Sequence, residues 1–285
     1  MKKILIMLAA MALHFSASAD TKIIVPFAAG GAVDIIARHF VAYVTKTTGE
    51  NIRVENVTGA GSTIGTRRLL ESTGNVAMIN SNSFYVNIAH GTFSEDKFKL
   101  AATIAESPMF LAVPASKNLT CEILRTTDKP MFVGSAGKDS ITSVPTKFVT
   151  EKFSNYTDVP YKGISQAVVD LIAARLDVVF LAAKPDHVQL QILANTSLSK
   201  YEGFPSIKEC LGIDKASEMQ WVIVTNETAD DDFVKKLNKL ALAYSKDPDT
   251  LAMFKSRMYQ SATVDFESTQ LEYSTQIKNW KNNLK

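Results

Sequence analysis

Residues 23–38 read IIVPFAAGGAVDIIAR, and the rest of the chain is legible from this stretch outward. Ile23, Ile24 and Val25 make a short apolar run of the kind found in buried strands. Pro26 ends the ladder because it has no N–H, and Ala28, Ala29, Gly30 and Gly31 follow as a loop poor in side chains. Val33, Ile35, Ile36 and Phe40 then fall on one face of a helix. A strand feeding a glycine loop and a helix leaves unpaired N–H groups at the positive end of that helix, where backbone donors alone can hold a carboxylate. A tight strand-to-helix turn packed against its neighbours satisfies the same pattern, and the local residues do not choose between the two.

The theme repeats downstream. Residues 52–57 (IRVENV) run into Gly59, Gly61 and Gly65, and residues 76–79 (VAMI) empty into Asn80, Ser81, Asn82 and Ser83. Three strands that end in glycine or small polar residues predict a parallel sheet whose loops gather at one edge, the edge where open α/β sheets bind ligands. Residues 110–113 (FLAV), followed by Pro114, read as a strand leaving a first lobe. A second lobe begins with residues 131–133 (MFV) and the loop Gly134, Ser135, Ala136, Gly137. It continues through a helix near 143–153, the segment VPYKG at 159–163, a helix at 164–176 and a strand at 178–181. Residues 221–224 (WVIV) read as the return crossing, and three helices near 231–245, from 248 and at 267–284 complete the chain. The fold class expected is α/β: two α/β lobes joined by two crossing strands, with residues 20–113 and 225–285 in lobe 1 and residues 114–224 in lobe 2. No Pro/Gly/Ser linker separates them, so the crossings describe a hinge.

The N-terminus predicts export. Lys2 and Lys3, an apolar run over 4–13 and small residues at 17–19 form a secretory signal peptide, with cleavage expected after Ala19. No later stretch approaches the length of a membrane span, and no lipobox cysteine follows the apolar run. Without the two signal lysines, the 31 basic residues fall to 29 against 29 acidic ones, a balance that gives no support to a nucleic-acid or anionic-membrane partner. The two cysteines, Cys121 and Cys210, leave a bridge and two buried thiols both open.

Several motifs in order resemble the periplasmic solute-binding proteins of tripartite tricarboxylate transporters, the TctC or Bug family. The family's opening motif appears as Pro26, Phe27, Gly30, Gly31, Asp34, Ala37 and Arg38. Its second glycine motif appears as Asn56, Gly59, Ala60, Gly61 and Gly65, with Ser62 replacing one glycine. Its V-P-Y-K-G followed by D-x-x-F appears as residues 159–163 with Asp177 and Phe180. The resemblance implies a two-lobed periplasmic binding protein fold, type II-like, that closes over a small mono-, di- or tricarboxylate and delivers it to membrane transporter subunits. It implies ligand contacts at Phe27, Ala28, Gly30 and Ala32 in the first lobe and at Ser135, Gly137 and Ser140 in the second. Ser81 and Ser83 sit where the family has a Ser/Thr-rich pocket edge, and Tyr161 and Asp177 are further candidates. Because the family keeps Asp34 beside bound carboxylates, its better reading is a brace for the glycine loop; a partner for a ligand ammonium is the other. The distal side of the pocket transfers least, since residues 181–210 keep only a faint form of the family pattern.

Other functions are thinly supported. Gly59, Gly61 and Gly65 miss the G-x-G-x-x-G spacing of a dinucleotide fingerprint, and Asn80 stands where an acid is wanted. No G-x-S-x-G, H-E-x-x-H or C-x-x-C occurs, and His39, His90 and His187 are scattered. The expectation is a monomeric, non-enzymatic receptor without cofactor or metal. A ligand-presenting sensor for a receptor kinase and a secreted hydrolase of small esters or amides are the alternatives.

Overall fold

The computed structural model describes residues 21–183 and 187–283. The signal peptide, its cleavage site and the segment Lys184, Pro185, Asp186 lie outside the described residues. The chain runs β1 (Thr21–Val25), α1 (Ala32–Thr48), β2 (Ile52–Asn56), α2 (Thr63–Leu70), β3 (Val76–Ser81), α3 (Ser83–Ala89) and β4 (Phe98–Pro108). It continues through β5 (Phe110–Pro114), α4 (Cys121–Thr126), β6 (Met131–Ser135), α5 (Ser143–Lys152), β7 (Tyr156–Pro160), α6 (Ile164–Ile172), β8 (Val178–Leu181), β9 (Leu190–Asn195) and α7 (Ile207–Leu211). β10 (Glu218–Asn226), α8 (Asp231–Tyr244), α9 (Pro248–Arg257), β11 (Gln260–Ser261) and α10 (Phe266–Asn283) follow.

These strands form two sheets. One is six-stranded in the order β11-β4-β10-β3-β1-β2, the other five-stranded in the order β7-β6-β8-β5-β9. β1 pairs parallel with both β2 and β3, which brings the loops after all three strands to one edge. Ile23, Ile24 and Val25 have no solvent exposure and pack against Ile36 and Phe40 of α1, so the apolar stripe read from the sequence is the core of this layer. In the second sheet β6 pairs parallel with β7 and β8, repeating the arrangement.

The division between the sheets differs from the expectation. Residues 110–113, placed at the end of lobe 1, pair antiparallel with β8 and β9 in the second sheet. Residues 221–224, placed in lobe 2, lie inside β10, which pairs with β3 and β4 in the first sheet. The crossings therefore fall at Met109 and between β9 and β10, one strand earlier and one strand earlier again than the apolar runs suggested. Thr196 sews the two crossings together: its N–H donates to Met109 O at 2.8 Å, its Oγ1 accepts the Met109 N–H at 2.8 Å, its carbonyl accepts the Ser217 N–H at 3.0 Å and its hydroxyl donates to Ser217 O. Cys121 and Cys210 are bridged, with their Cα atoms 4.9 Å apart, joining α4 to α7 on one side of the hinge.

Candidate functional site: a cavity between the lobes

The loop that opens the chain is held by a carboxylate. Asp34, in the first turn of α1, accepts the Gly30 N–H at 2.9 Å, Arg38 Nε at 2.9 and 3.0 Å and Asn56 Nδ2 at 2.8 Å. Asn56 also donates to Phe27 O at 3.0 Å, so β2, the loop and α1 share one network. Burial pushes the Asp34 carboxyl up, but the hydrogen bonds from Arg38, Gly30 and Asn56 outweigh it and hold its pKa below the usual Asp value. Asp34 is thus the brace of the loop. Gly30 has its N–H spent on that brace and contributes its φ of +78°, which a side chain would strain.

Gly31 is the N-cap of α1, and no side chain caps the helix. The first intrahelical bond runs from Ile35 N to Gly31 O at 2.9 Å, which leaves the N–H groups of Ala32, Val33 and Asp34 without an intrahelical acceptor. Ala32 and Val33 line a cavity of about 260 Å³. Across it, Gly163 is the N-cap of α6, again with no side-chain cap, and Gly163, Ile164, Ser165 and Gln166 line the same cavity. Two uncapped helix N-termini from different sheets therefore meet one volume.

The remaining walls are small and hydroxylated. Ser81 at the end of β3, Ser83 at the start of α3, Ser62 and Ser140 are each 1% exposed or less, and Thr142 is nearly as buried. Ser140 Oγ donates to Gly137 O at 2.7 Å, and Thr142 Oγ1 accepts the Ala136 N–H at 2.9 Å, fixing the loop before α5. Phe27, Val33, Ile141, Ile164, Ala182 and Met219 give the cavity its apolar surface, and among the described residues Lys162 is its one ionisable lining side chain.

The lobes touch directly beside this cavity. Ile141 N donates to Ser83 Oγ at 2.8 Å, Asn87 Nδ2 donates to Asp139 O at 3.1 Å, and His90 Nδ1 lies 3.0 Å from Asp139 Oδ1. Gly61, at φ +59°, comes so close that a Cβ there would stand 2.7 Å from the Asp139 carbonyl carbon.

Of the residues singled out in the sequence, Phe27, Ala28, Ala32, Ser81, Ser83 and Ser140 line the cavity. Gly30, Ser135, Gly137, Tyr161 and Asp177 do not, and each has a local task. Ser135 ends β6 and its carbonyl accepts the Tyr161 N–H at 2.8 Å. Gly137, at φ +91°, supplies the carbonyl that Ser140 caps. Tyr161 donates its hydroxyl to Asp170 at 2.7 Å, and Asp177 accepts Lys117 Nζ at 2.6 Å and the Phe132 N–H at 2.8 Å. Among the lining residues missing from the sequence list were Thr58, Gly59, Gly61, Ser62, Thr142 and residues 162–166. The glycine motif at 59–65 and VPYKG already marked two of these places. Among the described residues, no group of three or more His, Cys, Asp or Glu is placed to hold a metal ion, and no helix is long and apolar enough to cross a membrane.

Two α/β lobes with a shared cavity at the strand ends and paired crossings behind it define a two-lobed periplasmic binding fold. The structure superposes on the periplasmic binding protein BugD with a TM-score of 0.83, at 21% identity and with 92% of this chain and 95% of that one covered. It superposes equally on an R. palustris protein solved with adipate, with a TM-score of 0.82, 19% identity and coverage of 93% and 95%. The chain belongs to the family described as tripartite tricarboxylate transporter family receptor, which matches residues 36–280. A UPF0065 protein of Pseudomonas sp. is 27% identical over 220 residues, 70% of this chain. The matched stretch spans 65% of that relative's length.

Proposed function

We propose that the protein captures a small carboxylic acid between its lobes in the periplasm and delivers it to a tripartite tricarboxylate-type membrane transporter. The observation that carries this reading is the pair of uncapped helix N-termini, at Gly31 and Gly163, contributed by opposite lobes to one cavity with no acidic lining residue among the described residues. Aligned N–H groups at a helix end favour a negative charge by about 0.3–1 kcal/mol, and more where the site is partly buried. Contacts from both lobes exist only when the lobes are together, so an acid held by both favours closure by its differential affinity for that state. The bound adipate of the R. palustris neighbour fits the same chemistry. A hydrolase reading finds no His, Asp or Glu in the cavity lining among the described residues: His90 is turned to Asp139, and His39 Nδ1 lies 2.9 Å from the Tyr244 hydroxyl.

A thermal-shift screen against carboxylic acids, with mass spectrometry of the recovered ligand, tests this. At about a hundred times its Kd, a true ligand stabilises the protein by about 2.7 kcal/mol and is recovered unchanged. Product accumulating with time, or no shift with any acid, overturns the reading.

A further inference from the structure

We propose that His90 and Asp139 form a clasp across the seam between the lobes, and that a proton on His90 tightens it. Closure over the captured acid is then coupled to proton uptake, and capture is stronger in a mildly acidic medium than in an alkaline one. The inference rests on the receptor reading above and adds a regulation to it.

The clasp joins separate lobes. His90 closes the C-terminal end of α3, and Asp139 lies on the loop between β6 and α5. His90 Nδ1 stands 3.0 Å from Asp139 Oδ1, with the side chains 37% and 17% exposed. The seam is tight here, since Asp139 packs against Gly61 of the opposite lobe. Two other bonds cross beside it, Ile141 N to Ser83 Oγ and Asn87 Nδ2 to Asp139 O, and neither involves a group that titrates. A carboxylate only accepts, so Nδ1 carries a proton in this contact whatever the charge of the ring. A second proton on the ring turns the hydrogen bond into an ion pair. Histidine is the side chain whose ordinary charge change falls between about pH 5 and 8.

The coupling depends on which charges move. Glu95, Asp96 and Lys281 share a groove with His90; Glu95 is paired with Lys281 at 2.6 Å, and Asp96 accepts the Ser94 hydroxyl. From α2, Arg67 stands one turn beyond Thr63, whose hydroxyl donates to Asn87, one turn before His90. Residues 60–62 and β3, which also pack against α3, bring no charged side chain. All these groups belong to the lobe of His90 and bias its protonation alike whether the lobes are open or closed. Asp139 arrives only on closure, and exposed Lys138 on the same loop is the opposing charge that arrives with it. The carboxylate is in contact with the ring, so the closed state holds the proton more firmly than the open one. Lowering the pH through the imidazole range therefore shifts the lobes towards closure and raises affinity for the acid. Above that range the ion pair is lost and only a hydrogen bond remains.

The test is calorimetric titration of the full mature chain with adipate, malate, benzoate and glutamate at pH 6, 7 and 8. Ionic strength is fixed, and two buffers of different ionisation heat count the protons taken up on binding. For an acid that binds, the ratio of affinity at pH 6 to that at pH 8 is expected to be about two- to fivefold larger in the wild type than in His90→Gln, the range of a partly exposed ion pair. At pH 7 the wild type takes up a fraction of a proton that the variant does not. Asp139→Asn, which keeps an acceptor, loses the same pH dependence, whereas His39→Gln, on α1 beside Tyr244, keeps it. At pH 8 the affinity of His90→Gln stays within about twofold of wild type, which separates a charge effect from lost packing. Other titrating groups, Lys184 and Asp186 included, act alike in wild type and variants and cancel in the comparison. An equal pH ratio in wild type and His90→Gln, or an equal loss of affinity at every pH, overturns the clasp while the receptor reading stands. Absence of binding by all four acids overturns the receptor reading and the clasp with it.

Discussion

The hydroxyl oxygen of Ser83 accepts the Ile141 N–H at 2.8 Å, and this bond joins one lobe to the other inside the cavity wall. Ser83 also accepts the Ser81 hydroxyl at 2.8 Å, so its oxygen is positioned before the lobes meet. Ser83→Ala leaves the Ile141 N–H buried without an acceptor in the closed state, at a cost of about 1–3 kcal/mol. Titration should show acid affinity lower by about ten- to hundredfold, with the unfolding midpoint of the ligand-free protein moved little. Unchanged affinity would mean that the bound state does not use this seam.

Gly61 and Gly30 separate two uses of glycine. At Gly61 a methyl group meets backbone, 2.7 Å from the Asp139 carbonyl carbon and 2.9 Å from Ser140 N, whereas at Gly30 it meets nothing within 4 Å. Gly61→Ala is expected to block closure: the radius of gyration from solution scattering stays at its open value under saturating acid, and affinity falls at least about tenfold. Gly30→Ala strains its positive φ by about 1–2 kcal/mol but leaves the ligand-induced contraction intact.

The brace at Asp34 makes the opening loop acid-sensitive in a defined direction. Because the folded pKa lies below the ordinary value, the carboxylate stabilises the folded protein fully above the unfolded Asp range, and that contribution is lost as pH falls through the lowered pKa. The thermal midpoint of Asp34→Asn should therefore lie below that of wild type at pH 7, and the gap should shrink on acidification below about pH 4. A gap that grows on acidification contradicts the assignment.

The Cys121–Cys210 bridge closes a separation of 89 residues, and both ends belong to the segment between the two crossings. Replacing both cysteines with serine is expected to reduce unfolding free energy by about 2–4 kcal/mol. Acid affinity should stay within about twofold, since the bridge does not span the moving parts. A large loss of affinity would place the bridge in the closure mechanism instead.

What the sequence revealed follows from where the signal is local. The run Ile23–Val25, its proline and the glycine loop are punctuated within a few residues, and the structure keeps them as read. β4 passed unread because FKLAATIAESP is alanine-rich, with little of the β-branched and aromatic character that marks strands. α3 has every residue but Ala89 buried, so it shows no polar face from which a helical period is visible. The sheet to which residues 110–113 and 221–224 belong is a matter of pairing across the chain, and no glycine or proline linker marks the crossings. In the site, Ser81, Ser83 and Ser140 were legible as small donors at strand ends. Lys162 and Thr142 were not, because their place depends on how the second lobe approaches the first. The cysteine pairing likewise needed the proximity of α4 and α7.

β10 lies in the interior of its sheet, between β4 and β3, yet it is made of residues 218–226. Until that segment is available, the partners waiting for it present open edges on both sides, and an exposed edge is a template for the wrong neighbour. The strands of the other sheet, by contrast, are all supplied between residues 110 and 195. As the chain emerges, the inserted half can consolidate first and the flanking half must wait for its late central strand. A C-terminal truncation before Glu218 should therefore cost solubility far more than its length suggests. The same delay keeps the newly made chain pliable for as long as most of it is still being synthesised.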